Sequence, residues 1–337
     1  MSPRKPSVTA QDVARLAGVS RAVVSRALSS NGSISPDARA RVLRAAEELG
    51  YQVNFLAQGL NRQRSHLIGV IVSRISDPFR SALLDALLNE IQRQGFQALV
   101  SEIHSEQDLA HTLRRFTQFR VSGVIVTSGQ PPEALVNECV QQHIPVVGIN
   151  RQPTIPGVDY VCSDNVAGAE LAADQLLRSG CRRFGWLNHS PSTWAGRMRG
   201  EAFSRALQVR GVDVERDLAI LTCPEEGYTG GFQAAALADE ALEGIFCANA
   251  QLACGFLDGM RQRGKQAPED YQLIGFDNTP PTAQYSYQLT TLHQDVAAIS
   301  RQALARLQER TVDPLQPSRT TWVEVTLIHR RTSPFVI

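Results

Sequence analysis

Thr9-Ala10-Gln11-Asp12-Val13-Ala14-Arg15-Leu16-Ala17-Gly18-Val19-Ser20, followed three residues later by Val24-Ser25-Arg26-Ala27-Leu28, decides how the N-terminal end of this chain folds. Thr9 with Asp12 three residues on is a capping-box pattern, and Val13, Leu16 and Ala17 then share one helical face. Gly18 breaks that helix and Ser20 can cap the next, which runs to about Ser29. At about 100° per residue from Arg21, the side chains of Ala22, Ser25, Arg26 and Ser29 fall between roughly 40° and 140°. Val23, Val24, Ala27 and Leu28 take the opposite arc. One face packs; the other offers two arginines beside small and hydroxyl side chains. A guanidinium can pair bidentately with guanine O6 and N7 in the major groove, and small neighbours allow close approach. Helix, tight turn and second helix of this kind make a helix-turn-helix. Asn31-Gly32 is a turn, Ser35-Pro36 starts a third helix, and Val42, Ala45, Ala46 and Leu49 recur on its face up to Gly50.

Charge singles out the same end. The 337 residues carry a net charge of only +1, but residues 1–64 hold ten Lys/Arg against four Asp/Glu, leaving the remainder at −5. A basic head on a mildly acidic body predicts a polyanion partner at one end. A solvated basic surface, or a helical bundle with no DNA role, is the bland alternative. With 43% hydrophobic residues the chain has material for a packed core, which excludes disorder over most of its length. No run of about 18 apolar residues would cross a membrane. The basic start Met1–Pro6 lacks a following apolar stretch, so no secretory signal is expected. The six cysteines, widely spaced and without a CxxC pair, read as free thiols in a reducing cytosol.

The quoted residues, extended through Ser35-Pro36, Ala45-Ala46-Glu47-Glu48-Leu49-Gly50-Tyr51 and Asn54, resemble the N-terminal signature of the lactose repressor family of bacterial transcription regulators. The resemblance implies a head over 1–53, a hinge over 54–66 and a body over 67–337. It implies that Arg21, Ala22 and Arg26 face base edges, with Thr9, Ser25, Asn54 and Ala57 as further DNA contacts. Ala22 offers only a methyl group. Leu60 sits where the family inserts a leucine into the minor groove. Physically, residues 54–62 are too short for a stable isolated helix, and Gly59 costs about 1 kcal/mol more. They should fold only on DNA.

From Leu67 onward, apolar strand runs alternate with amphipathic helices. The runs are Leu67–Val72, Gln97–Val100, Gly123–Val126 and Pro145–Ile149, then Arg183–Leu187, Ala219–Leu221, Gly244–Ala248 and Leu273–Phe276. Two βα series imply an α/β body of two lobes, each a doubly wound parallel sheet, with ligand in the cleft beyond the strand ends. The body also resembles the family, whose own body is similar to the periplasmic sugar-binding proteins. That resemblance implies lobe crossings near 164, 280 and 320. It also implies a homodimer, with helices around Phe79–Gln94 and Asp108–Phe119 supplying much of the contact, on a pseudo-palindromic operator. No leucine heptad follows residue 330, which predicts no tetramerising tail.

Carried over residue by residue, the cleft candidates are Ser73, Asp77, Phe79, Arg80, Asn150, Ser163, Arg199, Asn249, Asp277 and Gln294. Arg197 competes with Arg199, and spacing to Phe203 and Leu207 favours Arg199. Ala250 stands where the family usually has Asp, which should remove a helix cap and a polar group. Four arginines, Arg74, Arg80, Arg151 and Arg199, point to an anionic effector such as a sugar acid or phosphorylated sugar. Asp77, Asp277 and Glu225-Glu226 could instead neutralise them and leave a neutral sugar. No cofactor, metal site or catalytic residue is expected: GxGxxG, Walker, GxSxG and HExxH patterns are missing, and the seven histidines have no ligand spacing. A periplasmic solute-binding protein and a sugar-metabolising enzyme are the competing readings; a signal peptide would mark the first and turnover the second.

Overall fold

The computed structural model describes residues 8–28, 34–51, 65–127 and 133–335. Asn54, Ala57 and Leu60 lie outside them. The chain divides into a unit ending at Ser65 and a unit from His66 to Ile337.

The first unit is three helices, α1 (Ala10–Ala17), α2 (Arg21–Ala27) and α3 (Pro36–Glu48). Each starts on a hydroxyl cap. The Thr9 hydroxyl donates to Asp12 at 2.7 Å in a complete capping box, while Ser20 and Ser35 accept from Val23 and Ala38. Gly18 ends α1 at φ 63°, a left-handed conformation that costs glycine nothing. Val13, Val24 and Val42 are fully buried among five alanines, so small side chains let the three helices approach closely.

In the second unit, six-stranded sheets form two lobes. The first lobe holds β1 (Leu67–Val72), α4 (Pro78–Arg93), β2 (Gln97–Glu102), α5 (Glu106–Gln118), β3 (Gly123–Val126), α6 (Glu133–Gln141), β4 (Val146–Ile149) and β5 (Val158–Ser163). The second holds α7 (Asn165–Arg178), β6 (Phe184–His189), α8 (Trp194–Val209), β7 (Leu218–Cys223), α9 (Gly227–Ala234), β8 (Gly244–Cys247), α10 (Ala250–Gln262), β9 (Gln272–Asp277) and β10 (Thr290–Gln294). The chain then returns through α11 (Val296–Val312) and β11 (Thr320–Val323) to the first lobe, and ends with β12 (Val325–Ile328) in the second.

The strand orders are β2-β1-β3-β4-β5-β11 and β7-β6-β8-β9-β10-β12, the same winding twice. All pairings are parallel except β10 with β12. In both sheets the order reverses beside the first strand, so crevices open at the carboxyl ends of β1 and β3 and of β6 and β8. The second crossing departs from expectation. Pro280–Ala283 is only a turn of 3₁₀ helix leading into β10, and the chain leaves the second sheet at Gln294–Asp295. The other crossings fall at Ser163–Asn165 and Val323–Val325.

Each lobe is cored on both sheet faces. In the first, α4 and α11 cover one side with Leu83, Leu87, Ile299 and Leu304, and α5 and α6 cover the other with Leu113, Phe116 and Val136. Arg310 of α11 forks onto Asp159 of β5 at 2.7 and 2.9 Å, both side chains buried, and the Arg319 amide completes the carboxylate. The lobes meet through a tilted pair of indoles: Trp194 at the start of α8 lies 6.5 Å, centroid to centroid, from Trp322 on β11. In the second lobe, α9 and α10 touch backbone to backbone. A Cβ on Gly255 would fall 1.9 Å from the Tyr228 carbonyl, and one on Gly231 would fall 2.1 Å from that of Leu252. This approach fixes the first turns of both helices. Gly255→Ala should therefore destabilise the body by about 1–3 kcal/mol or more, read as a lower denaturant midpoint; an unchanged midpoint would show that the helices separate freely.

Candidate functional site

In the head, α2 buries Val24 and Ala27 and exposes Arg21, Ala22, Ser25 and Arg26 on one side. Thr9, also exposed, caps α1.

In the body, the carboxyl ends of the two sheets enclose a cavity of about 350 Å³. Eight of the ten expected residues line it: Asp77, Phe79, Arg80, Asn150, Arg199, Asn249, Asp277 and Gln294. Ser73 and Ser163 do not. Ser73 stands behind the wall and accepts from Arg80 through its hydroxyl at 2.6 Å and its carbonyl at 3.1 Å. Ser163 is fully buried and donates to Gln294 at 2.5 Å. Both therefore hold lining side chains rather than facing the space: Ser73, just past β1, engages Arg80, and Ser163, at the end of β5, engages Gln294.

Arg199 is buried and lines the cavity, whereas Arg197 is exposed and donates to the Ser192 carbonyl. The Arg199 guanidinium donates to Asn165 at 2.7 Å and to the Ala248 carbonyl at 2.6 Å. It also lies 3.5 Å over the Phe276 ring and 3.9 Å from Asp277. Burial lowers it to about 10, with Asp277 opposing the shift. Asp277 accepts from Gln294 at 2.6 Å and from the Ala250 amide at 3.3 Å, and burial raises its carboxyl to about 6 despite Arg199. Ala250 thus costs no cap: Asn249 caps α10 through the Leu252 amide at 2.9 Å, and Asp277 takes the amide at 250. Three cavity residues sit in the left-handed region, Arg74 at φ 48°, Asn150 at 51° and Asp277 at 90°. Such strain persists where surrounding structure over-determines it, and it clusters at ligand sites.

Sequence reading missed His189, Thr193 and Gln251, which also line the cavity, as does Glu226, named from sequence as a possible partner of the arginines. His189 closes β6, and the rule that ligands sit beyond strand ends would have found it. It is 6% exposed, and neither ring nitrogen has a hydrogen-bond partner among the described residues; the nearest Glu226 oxygen is 3.5 Å away. Burial, then Arg74 and Arg80, depress its basicity. Glu226 also forms an ion pair with Arg74 across the cleft.

Residues 9–54 match the family model of bacterial regulatory proteins, lacI family, and residues 173–333 match that of a periplasmic binding protein-like domain. The HTH-type transcriptional regulator GalS of Salmonella typhimurium is 32% identical over 327 residues, covering 96% of each chain. A LacI family transcriptional regulator from Enterococcus faecium with bound ribose superposes with a TM-score of 0.72 at 27% identity, over 80% of this chain and all of that one. The lac repressor dimer bound to operator and the anti-inducer ONPF gives 0.84 at 23% identity over 98% and 100%, which establishes likeness of fold.

The Asp277 carboxyl supplies a pH signature. Raised from its ordinary 3.8 to about 6, it binds its proton more tightly in the native state than in the unfolded chain. Its contribution to stability is complete below about pH 4 and is lost as pH rises through about 6. Between pH 4 and 7, wild type should lose on the order of 3 kcal/mol relative to Asp277→Asn. Denaturant midpoints of both proteins across that range check this; parallel profiles would refute it.

Proposed function

The chain belongs to the lacI family of bacterial regulatory proteins, and on that footing we propose that it is a sequence-specific repressor whose hold on operator DNA is set by a small metabolite in the cleft between lobes. The observation that carries the reading is the exposed face of α2, where Arg21, Ala22, Ser25 and Arg26 stand together on a unit of net charge +6. An exposed helix with small side chains between two guanidiniums fits the major groove. Phosphate neutralisation by such a head makes affinity fall steeply with salt. The ribose in the E. faecium regulator supports a sugar-class effector here.

The reading extends to a homodimer on a pseudo-palindromic site, since one head of this size spans one half-site and two need a common scaffold. No helix among the described residues is long and apolar enough to cross a membrane. The proposed place of action is the cytoplasm, where the DNA is. The named relatives are regulators, and the cleft is read as a binding site without turnover. Metabolite controls DNA affinity only by binding two lobe arrangements unequally, and the coupling then runs both ways: operator changes metabolite affinity by the same factor.

Duplexes selected from randomised DNA by the full chain provide the test. Arg26→Ala should cost about 1–3 kcal/mol on the selected duplex and relax preference at one base pair per half-site. Equal loss on selected and random DNA would reduce Arg26 to a phosphate contact. Sedimentation of the full chain at micromolar concentration should give a dimer; a monomer with undiminished operator affinity would overturn the paired-head arrangement.

A further inference from the structure

Resting on the reading that the cleft holds the effector, we propose that this effector is a sugar derivative carrying one oxyanion group, seated between Arg80 and Arg151 of the first lobe and His189 of the second. The four arginines anticipated from sequence do not act alike. Arg199 is spent internally on Asn165, the Ala248 carbonyl, the Phe276 face and Asp277. Arg74 is paired with Glu226. Arg80 and Arg151 remain. Arg80 donates to Ser73 alone, and Arg151 donates to the Thr127 carbonyl through one terminal nitrogen. The Arg151 Nε is buried without an acceptor, and among the described residues no carboxylate lies within 4.0 Å of either guanidinium.

These two cations also repel. Arg151 is lowered to about 10 by burial and then by Arg80, and Arg80 is lowered by burial and then by Arg74. A protein that holds like charges together with unspent donors is organised for an anion, because charge-assisted hydrogen bonds and forked pairing recover the cost. His189, on the second lobe, is a further side chain on the same cavity whose ring nitrogens have no hydrogen-bond partner among the described residues. Elsewhere on the lining, Asp277, Gln294 and Asn249 present carboxylate and amide groups that suit hydroxyls. The cavity size of about 350 Å³ fits a small ligand. With every lining side chain in its ordinary state, the four arginines exceed Asp77, Glu226 and Asp277 by one positive charge, which one oxyanion balances.

Phosphate and carboxylate share this chemistry, and simple probes separate them. The melting temperature of the body in the full chain is followed in inorganic phosphate, acetate and glucose, each against sodium chloride at equal ionic strength. Phosphate stabilises folded proteins generally by exclusion from their surface, so the readout is the difference between wild type and the variants Arg80→Gln and Arg151→Gln. Saturable stabilisation of wild type, with midpoints shifted at least tenfold higher in both variants, is expected. A response to phosphate identifies a phosphorylated sugar, and a response to acetate alone a sugar acid. Stabilisation by glucose only, or equal anion responses in wild type and both variants, would overturn the proposal. If Arg151→Gln fails to fold, the half-buried Arg80 decides alone. DNA binding is measured separately: an anion that occupies the cleft without altering affinity for the selected duplex defeats the regulatory reading and leaves the anion seat standing.

Discussion

Gln294 is where the two lobes are held to one another. Its side-chain amide donates to Asp277 on the second lobe, and its oxygen accepts from Asn150 and Ser163 on the first. An amide has one donor end and one acceptor end, so these partners fix its orientation. It is also the last residue of β10, immediately before the chain crosses back. The covalent crossing and the polar bridge therefore coincide. Any change in the angle between lobes must break or remake those bonds, and a ligand that competes for Asn150 or Asp277 acts on the bridge directly.

That arrangement explains why the cleft tolerates so much buried charge. Asp277 would be expensive alone in the interior, but it faces Arg199, Gln294 and an amide at the start of α10. Arg199 in turn stacks on Phe276, whose position comes from the core of the second lobe. The network is supported from behind by the glycine contacts of α9 and α10, which hold the starts of those helices at the cavity rim. Truncating one member leaves another charge without its partner, and an unpaired buried charge costs more than the intact pair gives.

Much of this was legible in the sequence, for local reasons. The helix-turn-helix rests on caps, a glycine and one helical face, all within twenty residues, and Arg21, Ala22, Ser25 and Arg26 share the exposed side. The first four strands of each lobe are apolar runs that announce themselves. What stayed hidden depends on distant pairing. Nothing near Arg199 in the chain reveals that Asn165 will accept its hydrogen bond or that Asp277 will face its charge. Nothing near Arg74 reveals Glu226. β11 and β12 are short strands at sheet edges and β5 carries Asp159 and Ser163 among its apolar residues, so their runs are weak. The second crossing, placed near 280 by the family resemblance, falls instead at Gln294–Asp295, since Pro280–Ala283 is a turn within the lobe. Ser73 and Ser163 lie at or just past strand ends as expected, yet their hydroxyls are taken up by Arg80 and Gln294 and do not line the cavity.

The indole pair at the seam gives this protein its own optical gauge. Of its three tryptophans, Trp186 is packed within the second lobe, whereas Trp194 and Trp322 belong to different lobes and lie tilted to one another across the gap. Two aromatic chromophores at 6.5 Å and 32° interact strongly, and the interaction depends steeply on separation and tilt. Rotation of one lobe against the other therefore alters near-ultraviolet ellipticity and emission without any attached dye. Trp186, shielded from that motion, supplies a constant background against which the change is measured.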